Sequence, residues 1–243
     1  LQLSNSRGPD STGYYSNNIN IQIGFNRLAI LDLSENGNQP IHSPSDRYTM
    51  VFNGEIYNHL ELRKSLPGWE NLFKGNGDTE SLIACFDYYG IRKTVEKLNG
   101  MFAISIFDKR DNKLYLIRDF AGIKPLHYGW NGRTLVFASQ YNQISRHPLF
   151  NNEPINEEVL KLYLTQHFIP SPFGLLKNTY SVKPGEIITF DKDGSKHSEI
   201  YWTFPEYNHH PDEDIEIIDQ MENELDSAVQ AELLSDVPLG AFL

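Results

Sequence analysis

Three stretches of this chain carry two apolar runs joined by a short polar turn, and they limit the fold more than any other feature. "MFAISIFDKRDNKLYLIRD" (101–119) turns at Asp-Lys-Arg-Asp-Asn, "GWNGRTLVFAS" (129–139) at Asn131-Gly132, and "GEIITFDKDGSKHSEIYW" (185–202) at Asp193-Gly194. Asn-Gly and Asp-Gly between apolar runs are strong hairpin signals, because both central residues of the favoured turn need a positive φ. Hairpins build antiparallel sheets. Strand character also shows in "INIQIGFNRLAILDL" (19–33), where Ile19, Ile21 and Ile23 alternate with Asn20 and Gln22, and in "YTMVF" (48–52). Helices are expected from Ile56 through Leu60, Leu62 and Leu66 to Pro67, over 157–168, and within "GNGDTESLIACFDYYG" (75–90). The last has an Asp or Thr cap and a Gly stop. These elements define an α+β domain with antiparallel sheets and helices on their outer faces.

The pattern changes near residue 208. "NHHPDEDIE" (208–216) is polar, and after it Ile215, Ile218, Met221, Leu225, Val229 and Leu233 keep helical spacing. The chain then runs into "VPLGAFL", read as a small apolar strand. Residues 1–207 are expected to form one domain, and 208–243 to begin a second unit of α/β type. A length of 243 residues agrees with one full domain and part of another. The net charge of −11 and the lack of a basic stripe argue against nucleic acid as a partner. The apolar runs are strand-sized, the longest being "MFAISIF", so no membrane span is expected. One cysteine forms no intrachain disulfide and fits a reducing, cytoplasmic setting.

Few residues carry chemistry on their own. Asn53-Gly54 in "VFNGEIYN" is a turn signal, yet the residues after it are helix-like, not a second strand. An amide side chain and a glycine N–H at a strand end can aim two donors at one point, as an oxyanion hole requires. Arg27 reads either as a solvent-facing strand residue or as a bidentate clamp for a carboxylate. Asp78 reads either as a helix cap or as a carboxylate that binds an ammonium group. Together Arg27 and Asp78 would grip the zwitterionic head of an amino acid. Cys85 lies in an apolar helical stretch and reads as core, and His127 as a packed residue. No metal-ligand spacing, phosphate-binding loop or dinucleotide fingerprint occurs.

Several stretches, in order, resemble one family. "RGPDSTG" (7–13), "NRLAILDLS" (26–34), "QPI" (39–41), "VFNGEIYN" (51–58), "GDTE" (77–80), "LNGMFAISIFD" (98–108), "RDFAGIKPLHYG" (118–129), "FAS", "PGE" and "YW" are similar to the glutaminase domain of glutamine-hydrolysing asparagine synthetases. "LLSDVPLGAFL" (233–243) resembles the lead-in to their synthetase domain. The resemblance implies an N-terminal-nucleophile hydrolase fold, a four-layer α/β/β/α sandwich of two antiparallel sheets, followed by the start of an α/β synthetase domain. It implies attack on the glutamine side-chain amide by an N-terminal cysteine whose own α-amine acts as base. Ammonia would pass to a second site, where ATP and Mg²⁺ activate aspartate for conversion to asparagine. By position, Arg27 falls on the carboxylate ligand of glutamine, with Leu28, Ala29, Ile30 and Leu31 as the strand segment beside it. Asn53 and Gly54 fall on the oxyanion donors, Glu55 on an adjacent glutamine-binding position, and Asp78 on the α-ammonium ligand. Leu243 falls next to the nucleotide loop. No metal ligand is implied within the chain, and a homodimer is admitted.

The chain also departs from the family pattern. It begins at Leu1, just before "RGPD", so the nucleophilic cysteine is expected upstream, and Cys85, being internal, has no free α-amine. It stops where the pyrophosphate loop should follow. The chain is therefore expected to be a fragment that, alone, neither hydrolyses glutamine nor consumes ATP. Ser6 stands where the family usually has His, and Gln140 where Glu usually follows "FAS". Two other readings compete. One is another class II amidotransferase. The other is a non-catalytic scaffold that lost glutaminase action, against which the retention of Arg27, Asn53, Gly54 and Asp78 argues.

Overall fold

The structure is a computed structural model that describes residues 1–206 and 214–240. All strand pairs in its three sheets are antiparallel. The strands are β1 (Ser11–Ser16), β2 (Gln22–Arg27), β3 (Ile41–His42), β4 (Tyr48–Ile56), β5 (Gly100–Asp108), β6 (Lys113–Arg118), β7 (His127–Trp130), β8 (Leu135–Ala138), β9 (Thr179–Ser181), β10 (Glu186–Phe190) and β11 (Lys196–Ile200). The helices are α1 (His59–Lys64), α2 (Asp78–Tyr89), α3 (Ile91–Val95), α4 (Tyr141–Ser145), α5 (Glu157–Gln166) and α6 (Asp214–Glu232).

A six-stranded sheet, in the order β11-β10-β6-β5-β4-β3, divides two apolar cores. Alternate residues of a strand point to opposite faces, and the central strands are apolar on both. Met50, Phe52, Phe102, Ile104 and Ile106 face α1 and α2, where they meet Leu62, Leu66, Leu82 and Phe86. Val51, Ala103, Phe107, Leu114 and Leu116 face the other way, against Ile23 of β2, Leu126, Tyr128 of β7 and Val182. The second layer consists of a two-stranded sheet, β1-β2, and a three-stranded sheet, β8-β7-β9. Helix α4 lies on β7 and β8 as an outer layer.

The three hairpins form as their turn chemistry predicts. β5 pairs with β6, β7 with β8 and β10 with β11. Gly132 and Gly194 take φ values of 87° and 85°. Helices α1, α2, α5 and α6 fall within or close to the expected stretches, and Cys85 is fully buried in the helix-side core.

Four local expectations are corrected. The 19–33 stretch is strand only over Gln22–Arg27. Leu28, Ala29, Ile30 and Leu31 lie in an irregular loop, because the backbone turns at Asp32 (φ 52°) and directs carbonyls to the Arg27 guanidinium. Asn53-Gly54 is neither a turn nor a strand end. It lies inside β4, where Asn53 faces Ala103 and Gly54 faces Phe102. The N-cap position of α2 is Gly77, and Asp78 is the first helical residue. Val237 to Gly240 form no strand. The boundary near 208 and Leu243 lie outside the described residues.

Gly54 is required by close approach of backbone to backbone. A Cβ there would stand 2.0 Å from the Met101 carbonyl oxygen and 2.7 Å from the Phe102 Cα. Backbone cannot rotate away as a side-chain tip can. Gly54→Ala should therefore lower stability by about 1–3 kcal/mol through overpacking. The check is the shift in the urea midpoint, and an unchanged midpoint would mean that β4 and β5 separate freely at this rung.

Candidate active site

A cleft of about 410 Å³ opens on the face of the large sheet opposite α1 and α2. Its floor is three cross-strand pairs of β4 and β5: Val51 with Ser105, Asn53 with Ala103, and Glu55 with Met101. One wall is the end of β2 and the loop that follows, and the other is the end of β8 with Ser139 and Gln140. Of the residues singled out from sequence, Arg27, Leu28, Ile30, Leu31, Asn53, Gly54, Glu55 and Asp78 all line this space. Ala29 does not, although its N–H is fixed by the Asp10 carboxylate at 2.8 Å.

The β4 edge explains how Asn53 and Gly54 are presented. An antiparallel ladder points successive N–H groups to alternate sides. On the side away from β5, the Phe52 N–H donates to Gln39 Oε1 at 2.6 Å, and the Ile56 N–H donates to Asp78 Oδ2 at 2.9 Å. The Gly54 N–H points to that same edge, between these two. The Asn53 side chain stands on the cleft face, and its amide makes no hydrogen bond to the described residues. The cleft therefore holds an uncommitted amide and an uncommitted N–H on neighbouring residues. Sequence reasoning did not single out Gln39, and its signal was weak: one glutamine before a proline in a turn-rich stretch. Its amide occupies both polar groups of Phe52, since Nε2 also donates to the Phe52 carbonyl at 3.0 Å.

Arg27 is buried at the end of β2. Nη1 donates to the Ser34 carbonyl at 2.8 Å and to Asn38 Oδ1 at 3.2 Å. Nη2 donates to the Leu31 carbonyl at 3.4 Å and to the Asp32 carbonyl. A guanidinium has five N–H donors. The terminal ones thus hold the 31–38 loop, and the Nε–H meets no acceptor among the described residues. The Arg27 side chain organises the loop as well as charging the cleft.

Asp78 is almost wholly buried. Burial pushes its carboxyl up to about 6, against the lowering effect of hydrogen bonds from Ile56 and Thr79. Glu55 is also raised, first by burial and then by the neighbouring charge of Asp78, with Lys124 opposing. Two carboxylates facing one cleft favour a cationic group there.

Asp32 and Arg63 hold Asp78 in place, and neither was singled out from sequence. Burial raises the Asp32 carboxyl, but the hydrogen bonds from Ser34, Asn76 and Gly77 outweigh it and leave the group lowered. It accepts from the Asn76 N–H at 3.0 Å, tying the Arg27 loop to the loop before α2. Arg63, buried on α1, donates to the Gly75 carbonyl at 2.8 Å, the Gly77 carbonyl at 2.6 Å and Ser81 Oγ at 2.6 Å. Its planar fork reads both carbonyls of the Gly-Asn-Gly loop at once.

His127 is packed, edge-on to Tyr141 at 5.7 Å between ring centroids, and burial holds its imidazole down at about 4. The described residues contain no group of three or more His, Cys, Asp or Glu suited to a metal, and no helix long and apolar enough to cross a membrane.

The glutamine amidotransferase domain family matches residues 1–202, and the chain belongs to it. It is 36% identical to asparagine synthetase (glutamine-hydrolyzing) 1 of Bacillus subtilis, which covers 100% of this chain and 37% of that protein. It is 32% identical to asparagine synthetase (glutamine-hydrolyzing) 3 of the same organism, over 98% of this chain and 38% of that one. The chain thus spans less than half the length of these curated relatives. Among solved structures, the glutamine phosphoribosylpyrophosphate amidotransferase of B. subtilis, complexed with ADP and GMP, superposes with a TM-score of 0.54. It covers 75% of this chain and 35% of that one, at 20% identity. That likeness supports the N-terminal-nucleophile hydrolase fold.

The raised carboxyl of Asp78 has a measurable consequence. Its folded-state value, about 6, lies above the ordinary 3.8. Folding therefore favours the protonated form, and the cost of burying the charge develops as pH rises from about 4 to about 6. Asp78→Asn keeps an oxygen for the Ile56 N–H and carries no charge. It should stabilise the protein by about 1–3 kcal/mol at pH 8, and the gain should vanish below pH 4. Urea denaturation of both proteins at the two pH values tests this, and a gain independent of pH would refute it.

Proposed function

We propose that the cleft binds glutamine and hydrolyses its side-chain amide to supply ammonia, as part of a larger asparagine synthetase. The observation that carries this reading is the meeting, in one cleft, of a guanidinium, a buried carboxylate and two uncommitted donors on adjacent residues. The Arg27 charge and Nε–H suit the α-carboxylate of the substrate. Asp78, with Glu55 beside it, suits the α-ammonium group. Gripping the head at two points fixes the side-chain amide over the β4 edge, which lowers the entropic cost of attack.

Attack on the amide carbon converts its carbonyl oxygen into an oxyanion. The Asn53 amide and the Gly54 N–H are placed to receive that charge, and they need no reorganisation to do so. The C–N bond then breaks as its nitrogen takes the proton removed from the nucleophile, ammonia leaves, and water hydrolyses the acyl intermediate to glutamate and frees the nucleophile. Cys85 is not the nucleophile, because it lies in the core on the opposite face of the sheet, where burial pushes its thiol up to about 11. The resemblance assigns that role to an N-terminal cysteine of the whole protein. It assigns the use of the ammonia to a second site, where aspartate is the acceptor and ATP and Mg²⁺ are required. The described residues hold no cluster that fits a metal ion, and no step above depends on one. The relatives' names favour aspartate over other acceptors. A cytoplasmic setting and a homodimer complete the proposal.

In the intact protein, Asn53→Ala should lower glutaminase kcat by about 10²–10³, the usual effect of one oxyanion donor. KM should rise less, because the charge develops only in the transition state. Asparagine formation from free ammonia should persist. The two activities are measured on the same preparation, and a glutaminase kcat within about twofold of the parent, far below an oxyanion-donor effect, would return Asn53 to a structural role.

A further inference from the structure

The segment after α6 reaches the loop that bounds the cleft, where Asp236 makes two hydrogen bonds. Asp236 Oδ2 accepts the Asp32 N–H at 2.8 Å, and the Asp236 N–H donates to the Ile30 carbonyl at 3.1 Å. The segment is itself pinned locally, since Ser235 Oγ donates to the Val237 carbonyl at 3.0 Å and accepts the Val237 N–H at 3.2 Å. Both Asp236 bonds fall on the loop that bounds the cleft, at the two sides of Leu31. This loop has no regular structure to hold it, and Asp32 sits in the left-handed region, at φ 52°.

Asp32 uses every polar group it has. Its N–H goes to Asp236, its carbonyl to Arg27 Nη2, and its carboxylate to Ser34 and to the Asn76 N–H. A shift at its N–H is therefore passed in two directions. One leads through the carbonyl to the Arg27 guanidinium. The other leads through the carboxylate to the Gly-Asn-Gly loop that precedes Asp78. These are the two groups assigned to the head of the substrate.

We propose that Asp236 is a positioning residue that clamps the Ile30–Asp32 loop and so couples the segment after α6 to glutamine affinity. This rests on the reading of the cleft as a glutamine site. Asp236 touches no substrate. It sets the loop that sets Arg27 and Asp78, so its loss acts on binding and leaves the oxyanion donors of β4 untouched. Coupling of this kind is reciprocal: filling the cleft must also steady the segment after α6.

The test uses the intact protein and two variants, Asp236→Ala and Asp236→Asn. The asparagine amide keeps an oxygen for the Asp32 N–H and should restore most of the function that alanine loses. In Asp236→Ala, glutamine KM should rise about tenfold, the loss of one hydrogen bond of about 1–1.5 kcal/mol. Glutaminase kcat and ammonia-dependent synthesis should stay within about twofold of the parent. Hydrogen exchange without substrate should speed up at residues 30–34 and 75–77, and remain unchanged in β5. A KM unchanged in Asp236→Ala, or an Asp236→Asn protein as impaired as the alanine variant, would overturn the clamp. Unchanged exchange at 30–34 would overturn it as well. If the parent protein turns over no glutamine, the reading of function fails, and the exchange data alone decide the clamp.

Discussion

The pairing of β4 with β5 is the constraint on which the rest depends. It runs without interruption from Tyr48 opposite Asp108 to Ile56 opposite Gly100. Both strands are buried on two faces, so this ladder separates the cores and supplies the floor of the cleft. Its geometry is tight at the cleft end. A Cβ at Gly100 would stand 2.2 Å from the Glu55 carbonyl oxygen, much as one at Gly54 would strike Met101. Two glycines, one on each strand, thus let the backbones meet beside Asn53. The donors are rigid because they belong to the centre of the fold and not to a loop.

The substrate-head groups are held differently. Arg27 and Asp78 come from elements 51 residues apart, and neither is anchored by the sheet alone. One polar residue joins their loops, Asp32 through its carboxylate and carbonyl, while Arg63 braces the loop before Asp78 against α1 through the carbonyls of Gly75 and Gly77. Buried charges are costly unless every donor and acceptor is met. Here the charges serve loop backbone, whose carbonyls and N–H groups would otherwise lack partners. The same bonds that satisfy the loops also fix the distance across the cleft, so stability and binding geometry share their causes.

The hairpins were legible because each rests on local chemistry: a turn dipeptide flanked by apolar runs. The opposed cores were legible in part, from runs such as "MFAISIF" that are apolar on both faces except at Ser105. The loop at 28–34 was not. Its residues, Leu28, Ala29, Ile30 and Leu31, have strand composition, and bonds from the Arg27 side chain and from distant Asp236 hold them as a loop. Asn53-Gly54 was placed at a strand end because the residues after it are helix-like, but the ladder continues to Ile56. Arg27, Asn53, Gly54 and Asp78 were candidates by residue type, but only the resemblance in the order of motifs joined them in one site, since spacing alone left them separate. Gln39, Asp32 and Arg63 were given no role because most of their partners are backbone atoms, which leave no trace in residue identities.

The two bonds from the Gln39 side chain to Phe52 bear on solubility. β3 is only two residues long and covers Thr49 and Met50 of β4, so the strand beyond it is an open edge. An open edge is a template on which a second chain can add a strand. Gln39 closes the rung at Phe52 by imitating a peptide group with its amide, and Asp78 closes the rung at Ile56. One N–H, that of Gly54, is left between them. A row of donors that would invite self-association is thus reduced to a single opening, and an extended peptide finds no second rung to continue on.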